Sequence, residues 1–186
     1  MSDQNIPYHE MLFHAIETER LRLKNIARED REFIFEQFSD PDVTEYLLDE
    51  EPYTSISEVD DIIEFYNTPE PRNQHRWILI LKENGEKIGT CGFHRWNVEE
   101  GSVELGYDLK KEYWGRGLMS EALEAILPFA KDEMQVKRID AHIYPENQRS
   151  VSLVQKFGFL HRDETVIYTF RGTDYLHNIY TLNFTD

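Results

Sequence analysis

Residues 109–122 read LKKEYWGRGLMSEA and are the most informative stretch of this chain. They follow a strand-like segment, residues 103–109, and lead into a helix whose apolar side chains recur at helical spacing. A glycine-containing turn between a strand and a helix presents a row of backbone N–H groups to a phosphate. Gly115 and Gly117 have no side chain that would keep a ligand away, and the helix N-terminus adds about half a positive charge. The stretch therefore predicts a site for a phosphorylated cofactor.

The composition indicates one globular domain. The chain has 186 residues, 40% of them hydrophobic, and it contains no apolar run long enough to span a membrane. The start, MSDQNIPYHEM, is polar and acidic and does not resemble a signal peptide. Cys91 is the single cysteine, which fits a reducing compartment. We therefore expect a cytoplasmic protein with one domain, residues 18–186, preceded by a tail or lead-in of residues 1–17.

Negative charge is concentrated in one segment. The formal net charge is −16, and residues 32–71 contain thirteen Asp and Glu and no Lys or Arg. Nucleic acid is a poor partner for such a surface, because its phosphates are repelled. A cationic partner is attracted, although the same charge also suits a solvated surface that keeps the protein soluble. Both interpretations stay open.

Hydrophobic periodicity predicts a mixed α/β domain around one sheet. Strands are expected at residues 19–26, 77–82, 87–96, 103–109, 138–144, 159–171 and 178–184, and helices at residues 29–38, 42–48, 55–66, 118 to about 134, and 147–157. Pro128 predicts a kink or an early end of the long helix, because proline removes a backbone hydrogen bond. Gly89 and Gly92 inside a strand indicate a bulge or a close backbone approach.

The turn motif alone does not identify the cofactor. It lacks the third glycine of a dinucleotide fingerprint, an antiparallel meander precedes it, and no G-x-x-x-x-G-K-[ST] motif is present. These features argue against nicotinamide and nucleoside-triphosphate cofactors.

Three segments in order are more specific: VELGYDL at residues 103–109, EYWGRGLMSEA at 112–122 and RIDAHIYPENQRSVSLVQKFGF at 138–159. This set resembles the GCN5-related N-acetyltransferase (GNAT) superfamily, and within it the ribosomal-protein N-acetyltransferase-like branch. The resemblance covers roughly Thr18 to Leu182. It implies a GNAT-like α/β fold, a central, mostly antiparallel mixed sheet of about seven strands flanked by about four helices.

The resemblance implies acetyl-CoA as cosubstrate. The superfamily's pyrophosphate loop, [QR]-x-x-G-x-[GA], then has Trp114 at its Gln/Arg position, Gly117 at its fixed glycine and Met119 at its last small residue. Amides from Gly115 to Ser120, with the Ser120 hydroxyl, would hold the pyrophosphate. The full implied cofactor set is Asp108, Leu109, Trp114, Gly115, Arg116, Gly117, Leu118, Met119, Ser120, Asn147 and Ser150.

Two parts of that set have further implied roles. Asp108 and Leu109 would pair through their backbones with the pantetheine arm, like an added strand. Asn147 matches an asparagine that bonds the same arm, and its alternative role is that of a helix N-cap.

Glu104 is the first candidate for the general base that acetyl transfer to an amine requires. It matches the glutamate of the family's E-L-G-Y, and strand alternation places it on the face opposite Val103 and Leu105. The alternative is an ordinary solvent-facing glutamate. Ser150 matches a serine that protonates the leaving thiolate in this branch, or it is a first-turn serine of a helix.

Other superfamily members use a tyrosine as the proton donor, at the position that Val154 occupies in this chain. Tyr107 and Tyr144 are substitutes of lower rank. The backbone N–H near Tyr107 is the candidate contact for the thioester carbonyl.

The acceptor expected from the resemblance is a primary amine, most often a protein N-terminal α-amine in this branch. A polyamine, an aminoglycoside or another small cationic amine is the first alternative, and a non-catalytic CoA-binding sensor or scaffold is the second. His94 and Trp96 either line the acceptor pocket or pack internally. The seven histidines are scattered, so no metal site is predicted. Cys91 is not assigned a nucleophilic role, because direct transfer needs none. No membrane partner is expected, and a homodimer is possible.

Overall fold

The computed structural model describes residues 12–48 and 50–184. The strands are β1 (Ile16–Glu17), β2 (Leu21–Asn25), β3 (His75–Leu81), β4 (Glu86–Asn97), β5 (Ser102–Leu109), β6 (Arg138–Ile143), β7 (Leu160–Phe170) and β8 (Thr173–Asn183). The α-helices are α1 (Arg31–Ser39), α2 (Pro41–Thr44), α3 (Glu58–Tyr66), α4 (Leu118–Asp132) and α5 (Gln148–Lys156). All eight strands form one sheet in the order β1-β2-β3-β4-β5-β6-β8-β7.

The sheet is antiparallel except at one junction. β5 and β6 run parallel and pair only through Ser102–Glu104 and Arg138–Asp140. A parallel pair needs a crossover, and α4 provides it. Beyond Glu104 the described residues show no further pairing between these two strands, so they diverge. The edge of β5 from Leu105 to Leu109 that faces β6 therefore has no strand partner.

Apolar side chains cover both faces of the sheet. In β3, Trp77 and Leu79 belong to the cluster that packs under α4, whereas Ile78 belongs to a second cluster with α1 and α3. This division follows from the two-residue period of a strand. The predicted apolar stripe of α4 is confirmed, since all its members are buried: Leu118, Ala122, Ile126, Phe129 and Ala130.

The predicted α/β architecture is confirmed, with eight strands rather than about seven and five α-helices rather than about four. The additional strand, β1, has two residues, which is too short for an alternating pattern to be recognised. It comes from the predicted tail or lead-in, whose Phe13 is also buried in the core. Residues 1–11 of that segment lie outside the described part of the chain.

Three local predictions have clear outcomes. α4 continues four residues past Pro128, so an early end does not occur. Pro128 has no N–H to donate to the backbone carbonyl of Glu124, four residues earlier in the helix. Both residues are exposed, so water can bond to that carbonyl instead. A Cβ on Gly89 would lie 2.3 Å from the carbonyl oxygen of Asp108, and one on Gly92 would lie 2.0 Å from that of His75. The predicted close backbone approach is therefore present at both glycines.

Candidate active site

Two clefts meet where β5 and β6 diverge. The first, called here the loop cleft, has a volume of about 460 Å³ and lies between the glycine turn and α5. The second, the acidic cleft, has a volume of about 910 Å³. It lies between the part of the chain that carries α1 to α3 and the diverging strands. Both clefts are lined by Tyr46, Leu47, Tyr107, Asp108, Asn147 and Ser150.

The glycine turn is shaped by left-handed backbone angles. Gly115 has φ +69° and Gly117, the N-cap of α4, has φ +73°. Such angles favour glycine, because a Cβ would crowd the following carbonyl. Arg20 donates from Nη1 to the carbonyl of Arg116 over 3.0 Å, and Glu121 accepts from the Arg20 backbone N–H over 2.6 Å. These bonds tie the turn to the start of β2 and leave its open side facing the loop cleft.

Most of the predicted cofactor residues lie together in the loop cleft. Of the predicted cofactor residues, those that line this cleft are Asp108, Leu109, Trp114, Gly115, Gly117, Leu118, Met119, Ser120, Asn147 and Ser150. Arg116 is the exception, because its guanidinium lies 5.1 Å from the centre of the Tyr113 ring and does not line the cleft.

Trp114 has a different role from the Gln or Arg of the superfamily motif. Its Nε1–H donates to the carbonyl of Leu109 over 2.8 Å, so this carbonyl, expected to pair with a ligand, already has a partner. The guanidinium of Arg149 lies 3.7 Å from the centre of the Trp114 ring, and its Nη2 lies 3.7 Å from Glu45 Oε2. A cation is thereby held in the loop cleft, which Lys156 also lines.

The start of α5 organises the junction of the clefts. Asn147 Oδ1 accepts from the backbone N–H of Ser150 over 3.3 Å, so the N-cap interpretation of Asn147 is confirmed. The Tyr107 hydroxyl donates to the carbonyl of Ser150 over 3.4 Å, and burial raises the pKa of Tyr107 to about 12. Tyr107 therefore keeps its proton and directs it to the backbone of α5. Val154 is fully buried.

The acidic cleft contains both carboxylates and aromatic rings. Its acidic lining residues are Glu50, Glu51, Glu58, Asp61, Glu104 and Asp108, and its tyrosines are Tyr46, Tyr53, Tyr66, Tyr107, Tyr144 and Tyr168. Glu51 forms a bidentate ion pair with Arg171, at the tip of the β7–β8 hairpin. This pair joins the acidic segment to the hairpin on the far side of the cleft. The cleft is thus suited to a cationic ligand.

A buried polar cluster beneath the acidic cleft has no counterpart in the sequence analysis. Arg76 Nη1 donates to Asp108 Oδ2 over 3.0 Å, and the second oxygen, Oδ1, accepts from Gln37 Nε2 over 2.7 Å. Burial raises the pKa of Asp108, and Arg76 opposes that rise. Arg76 also contacts His94 Nε2 at 3.0 Å, and burial together with the nearby arginines lowers the pKa of His94 to about 3. The sequence signal that could have revealed this cluster is an arginine inside the apolar run HRWILIL.

Glu104 belongs to a second polar group, at the wall of the acidic cleft. Its Oε2 accepts from Arg95 Nη1 over 3.1 Å, and its Oε1 lies 3.4 Å from His142 Nδ1. The same Nδ1 lies 2.8 Å from the hydroxyl of Tyr168. Glu104 is half-buried beside buried Val103 and Leu105, as strand alternation predicts. It is therefore not an ordinary solvent-facing glutamate.

The remaining candidates are resolved by their surroundings. His94 lines the acidic cleft, whereas Trp96 packs against Phe13 with ring centres 6.3 Å apart. Cys91 is buried, and burial raises the pKa of its thiol, which disfavours the nucleophilic thiolate. No group of three or more potential metal-binding side chains, and no helix long and apolar enough to cross a membrane, occurs among residues 12–48 and 50–184.

Residues 20–160 match the family model described as "Acetyltransferase (GNAT) domain". The chain therefore belongs to the GNAT family of N-acetyltransferases and is an acyltransferase, which confirms the resemblance.

Individual relatives extend this assignment. The chain is 37% identical over 143 residues to an uncharacterized N-acetyltransferase p20 of Bacillus licheniformis, covering 76% of this chain and 80% of that protein. It is 38% identical over 84 residues to the [ribosomal protein uS5]-alanine N-acetyltransferase of Escherichia coli, covering 44% and 42%. Its fold is similar to that of a spermidine N-acetyltransferase from Vibrio cholerae solved with CoA and spermine, at a TM-score of 0.77 and 19% identity, covering 88% and 95%.

Proposed function

We propose that this protein transfers the acetyl group of acetyl-CoA directly to the α-amine of a protein N-terminus. The observation that carries the proposal is the meeting of two chemically different clefts at Tyr107, Asn147 and Ser150. One cleft has a glycine turn and cations suited to phosphates, and the other has carboxylates suited to an amine. Their junction is where a thioester and an amine would come within reach of one another.

The loop cleft fits acetyl-CoA in three respects. Nothing lies within 4 Å of the position that a Cβ on Gly115 would take, so the turn has room for a pyrophosphate against its amides. Arg149 and Lys156 line the same cleft and can neutralise phosphate charge. The unpaired edge of β5 at Leu105–Asp108 can bond an extended pantetheine arm as it would a strand. When bound, the cofactor would supply the thioester carbon that the amine attacks.

The chain's own residues would supply the proton transfers. Glu104 and the side chains bonded to it lie in the acidic cleft, where the amine must lose its proton. The backbone N–H of Tyr107 is the proposed contact for the thioester carbonyl oxygen, and the Ser150 hydroxyl at the junction is the proposed donor to the leaving thiolate. Tyr107 is the weaker donor, because its hydroxyl is directed to the carbonyl of Ser150.

Two observations favour a polypeptide acceptor. The acidic cleft is open and about 910 Å³ in volume, so it can admit an extended chain end. The uS5-alanine relative, whose name states a protein substrate, is also 38% identical over the part that matches. A polyamine remains the second candidate, because six carboxyl side chains line the cleft and a spermidine N-acetyltransferase shares the fold.

A side-by-side acceptor panel tests the proposal. The purified protein is mixed with acetyl-CoA and with basic peptides, the same peptides with a blocked N-terminus, spermidine and an aminoglycoside, and free CoA thiol is measured. We expect thiol release with the free peptides only, and a mass gain of one acetyl group on their first residue. Release with spermidine alone would establish the polyamine alternative, and release with no amine would refute acetyl transfer to these acceptors.

A further inference from the structure

Resting on the proposed acetyl transfer, we infer that His142, rather than Glu104, accepts the proton of the acceptor amine, and that Glu104 positions its ring. Both side chains line the acidic cleft and are partly exposed, 14% for His142 and 20% for Glu104. They come together because β5 and β6 diverge directly after the pairing of Glu104 with Asp140, and His142 lies two residues further along β6.

The hydrogen-bond partners of His142 define its tautomer. Nδ1 lies 2.8 Å from the Tyr168 hydroxyl and 3.4 Å from Glu104 Oε1. The Glu104 carboxylate can only accept, and the Tyr168 oxygen, which Arg95 also contacts, can accept as well as donate. A ring nitrogen that faces two acceptors carries the hydrogen, which leaves the lone pair on Nε2. Among residues 12–48 and 50–184, Nε2 has no hydrogen-bond partner, and it is available to a ligand in the cleft.

Glu104 is poorly placed to act as the base itself. Arg95 donates to one of its oxygens, and the other faces the His142 ring. Protonation of the carboxylate would remove the negative charge that stabilises both contacts. Imidazole has an ordinary pKa close to neutral pH, which is where a general base is most effective. A carboxylate behind a histidine orients the ring and stabilises the imidazolium that forms, as in the serine hydrolase triad.

Charged and titratable groups from several strands surround His142. They are Glu104 on β5, Arg95 on β4, Tyr168 on β7, Asp140 on its own strand, Tyr144 directly after that strand, and His177 on β8, whose ring contacts those of Tyr144 and Tyr168. Asp140 is occupied by Arg138 and Thr181, so Glu104 is the anion directed at the ring.

The proton and the bonds can be followed through the transfer. The amine nitrogen attacks the thioester carbon, the new C–N bond forms, and the C–S bond breaks. His142 Nε2 takes the proton that the nitrogen loses. The thiolate takes a proton from water, or from Ser150, whose hydroxyl then regains one from the solvent. The imidazolium then returns its proton to the solvent through the open cleft.

The test is the pH dependence of kcat/KM in wild type, His142→Gln and Glu104→Ala, with two acceptors whose amines differ in pKa. Wild type should show a limb in the range where imidazole titrates, and that limb should not move between acceptors. His142→Gln should lose the limb and at least about 100-fold in rate. Glu104→Ala should keep the limb and lose about ten- to a hundredfold in kcat/KM, because the ring is no longer oriented.

Two controls separate the possible failures. His161→Gln changes an exposed histidine outside both clefts and should leave the profile unchanged. Acetyl-CoA should raise the melting temperature of every variant equally, which shows an intact loop cleft. If His142→Gln keeps the limb while Glu104→Ala abolishes it, Glu104 is the base and the inference is wrong. If wild type acetylates no amine, the proposed function fails instead.

Discussion

The guanidinium of Arg149 on α5 lies 3.7 Å from the centre of the Trp114 ring, directly beside the glycine turn. The superfamily motif has a Gln or Arg at the position of Trp114, and here a cation reaches the same cleft from another element. The indole holds this cation by a cation–π contact, and Glu45 forms an ion pair with it. The pair therefore places a positive charge where the phosphates of the cofactor are proposed to lie.

Arg149→Ala should weaken acetyl-CoA binding about tenfold, because one charge-assisted contact to phosphate is lost. Isothermal titration with acetyl-CoA, its 3′-dephospho form and acetyl-pantetheine measures this loss. Acetyl-pantetheine, which has no pyrophosphate, should bind equally to wild type and variant. Arg162→Ala, at a partly exposed arginine on β7 outside both clefts, is the control. Equal loss for all three ligands would mean that Arg149 supports the fold and not the phosphates.

Gly117→Ala should abolish most of the rise in melting temperature that acetyl-CoA produces. The new methyl group strains a backbone with φ +73° at a residue that lines the loop cleft, and it lies 3.5 Å from Nη2 of Arg20, which holds the turn in place. Gly85→Ala is the matched control, because Gly85 has φ +74° and lies in the β3–β4 hairpin away from the cleft. Both variants should lose about 1–2 kcal/mol of stability, and only Gly117→Ala should lose the cofactor response. An unchanged response in Gly117→Ala would exclude the turn as the cofactor site.

Asp61→Asn should raise KM for a cationic acceptor several-fold and weaken the dependence of KM on salt. Asp61 lines the acidic cleft, and clustered charge concentrates ligands of opposite sign. Asp60→Asn is the control on the same helix, since Asp60 forms a bidentate pair with Arg31 and does not line the cleft. Steady-state kinetics at low and high ionic strength separate the two variants. Identical KM values in both would remove acceptor steering as a role of this carboxylate.

Arg76→Met and Asp108→Leu should each lower the free energy of unfolding by about 3–5 kcal/mol, because each leaves the partner's buried polar group uncompensated. The double variant, with Arg76→Met and Asp108→Leu, should recover much of this loss, since no charge is left buried. Urea denaturation measures all three. Asp42→Asn breaks an exposed pair with Lys111 and should cost at most about 1 kcal/mol. Additive losses in the double variant would contradict a coupled pair.

Stability should fall on acidification from about pH 6.5, in a manner that depends on His94. Burial lowers the pKa of His75 to about 2 and of His94 to about 3, whereas an unfolded histidine titrates near 6.5. Between these values the unfolded chain binds protons that the folded chain does not, so the free energy of unfolding decreases as pH falls. Each histidine contributes up to about 1.4 kcal/mol per pH unit.

Urea denaturation at pH 7, 6 and 5 measures how steeply the free energy of unfolding falls with pH. His94→Gln should make this dependence shallower by the contribution of one histidine, up to about 1.4 kcal/mol per pH unit. His14 does not obscure the comparison. Its hydrogen bonds to Ala15 and Glu133 raise its pKa, so its stabilising contribution is complete below about pH 6.5 and is lost only as pH rises. A slope unchanged in His94→Gln would show that the ring titrates equally in both states.

The parts predicted well are those encoded by neighbouring residues. The turn between β5 and α4, the apolar stripe of α4 and the cap at Asn147 each depend on a few consecutive positions, and all are present. The outer strand β1 was missed because two residues carry no period. The role of Trp114 was also missed, because its partner Arg149 comes from another element.

The sequence by itself determined the fold class, the glycine turn and the family, since these follow from local periodicity, backbone freedom and motifs in fixed order. Only the tertiary structure decided which side chains meet at the junction of β5 and β6. The ion pair of Arg76 and Asp108 spans 32 positions, and the contact between His142 and Tyr168 spans 26. Such contacts depend on the register of the strands and on where two of them diverge, and no local pattern records either.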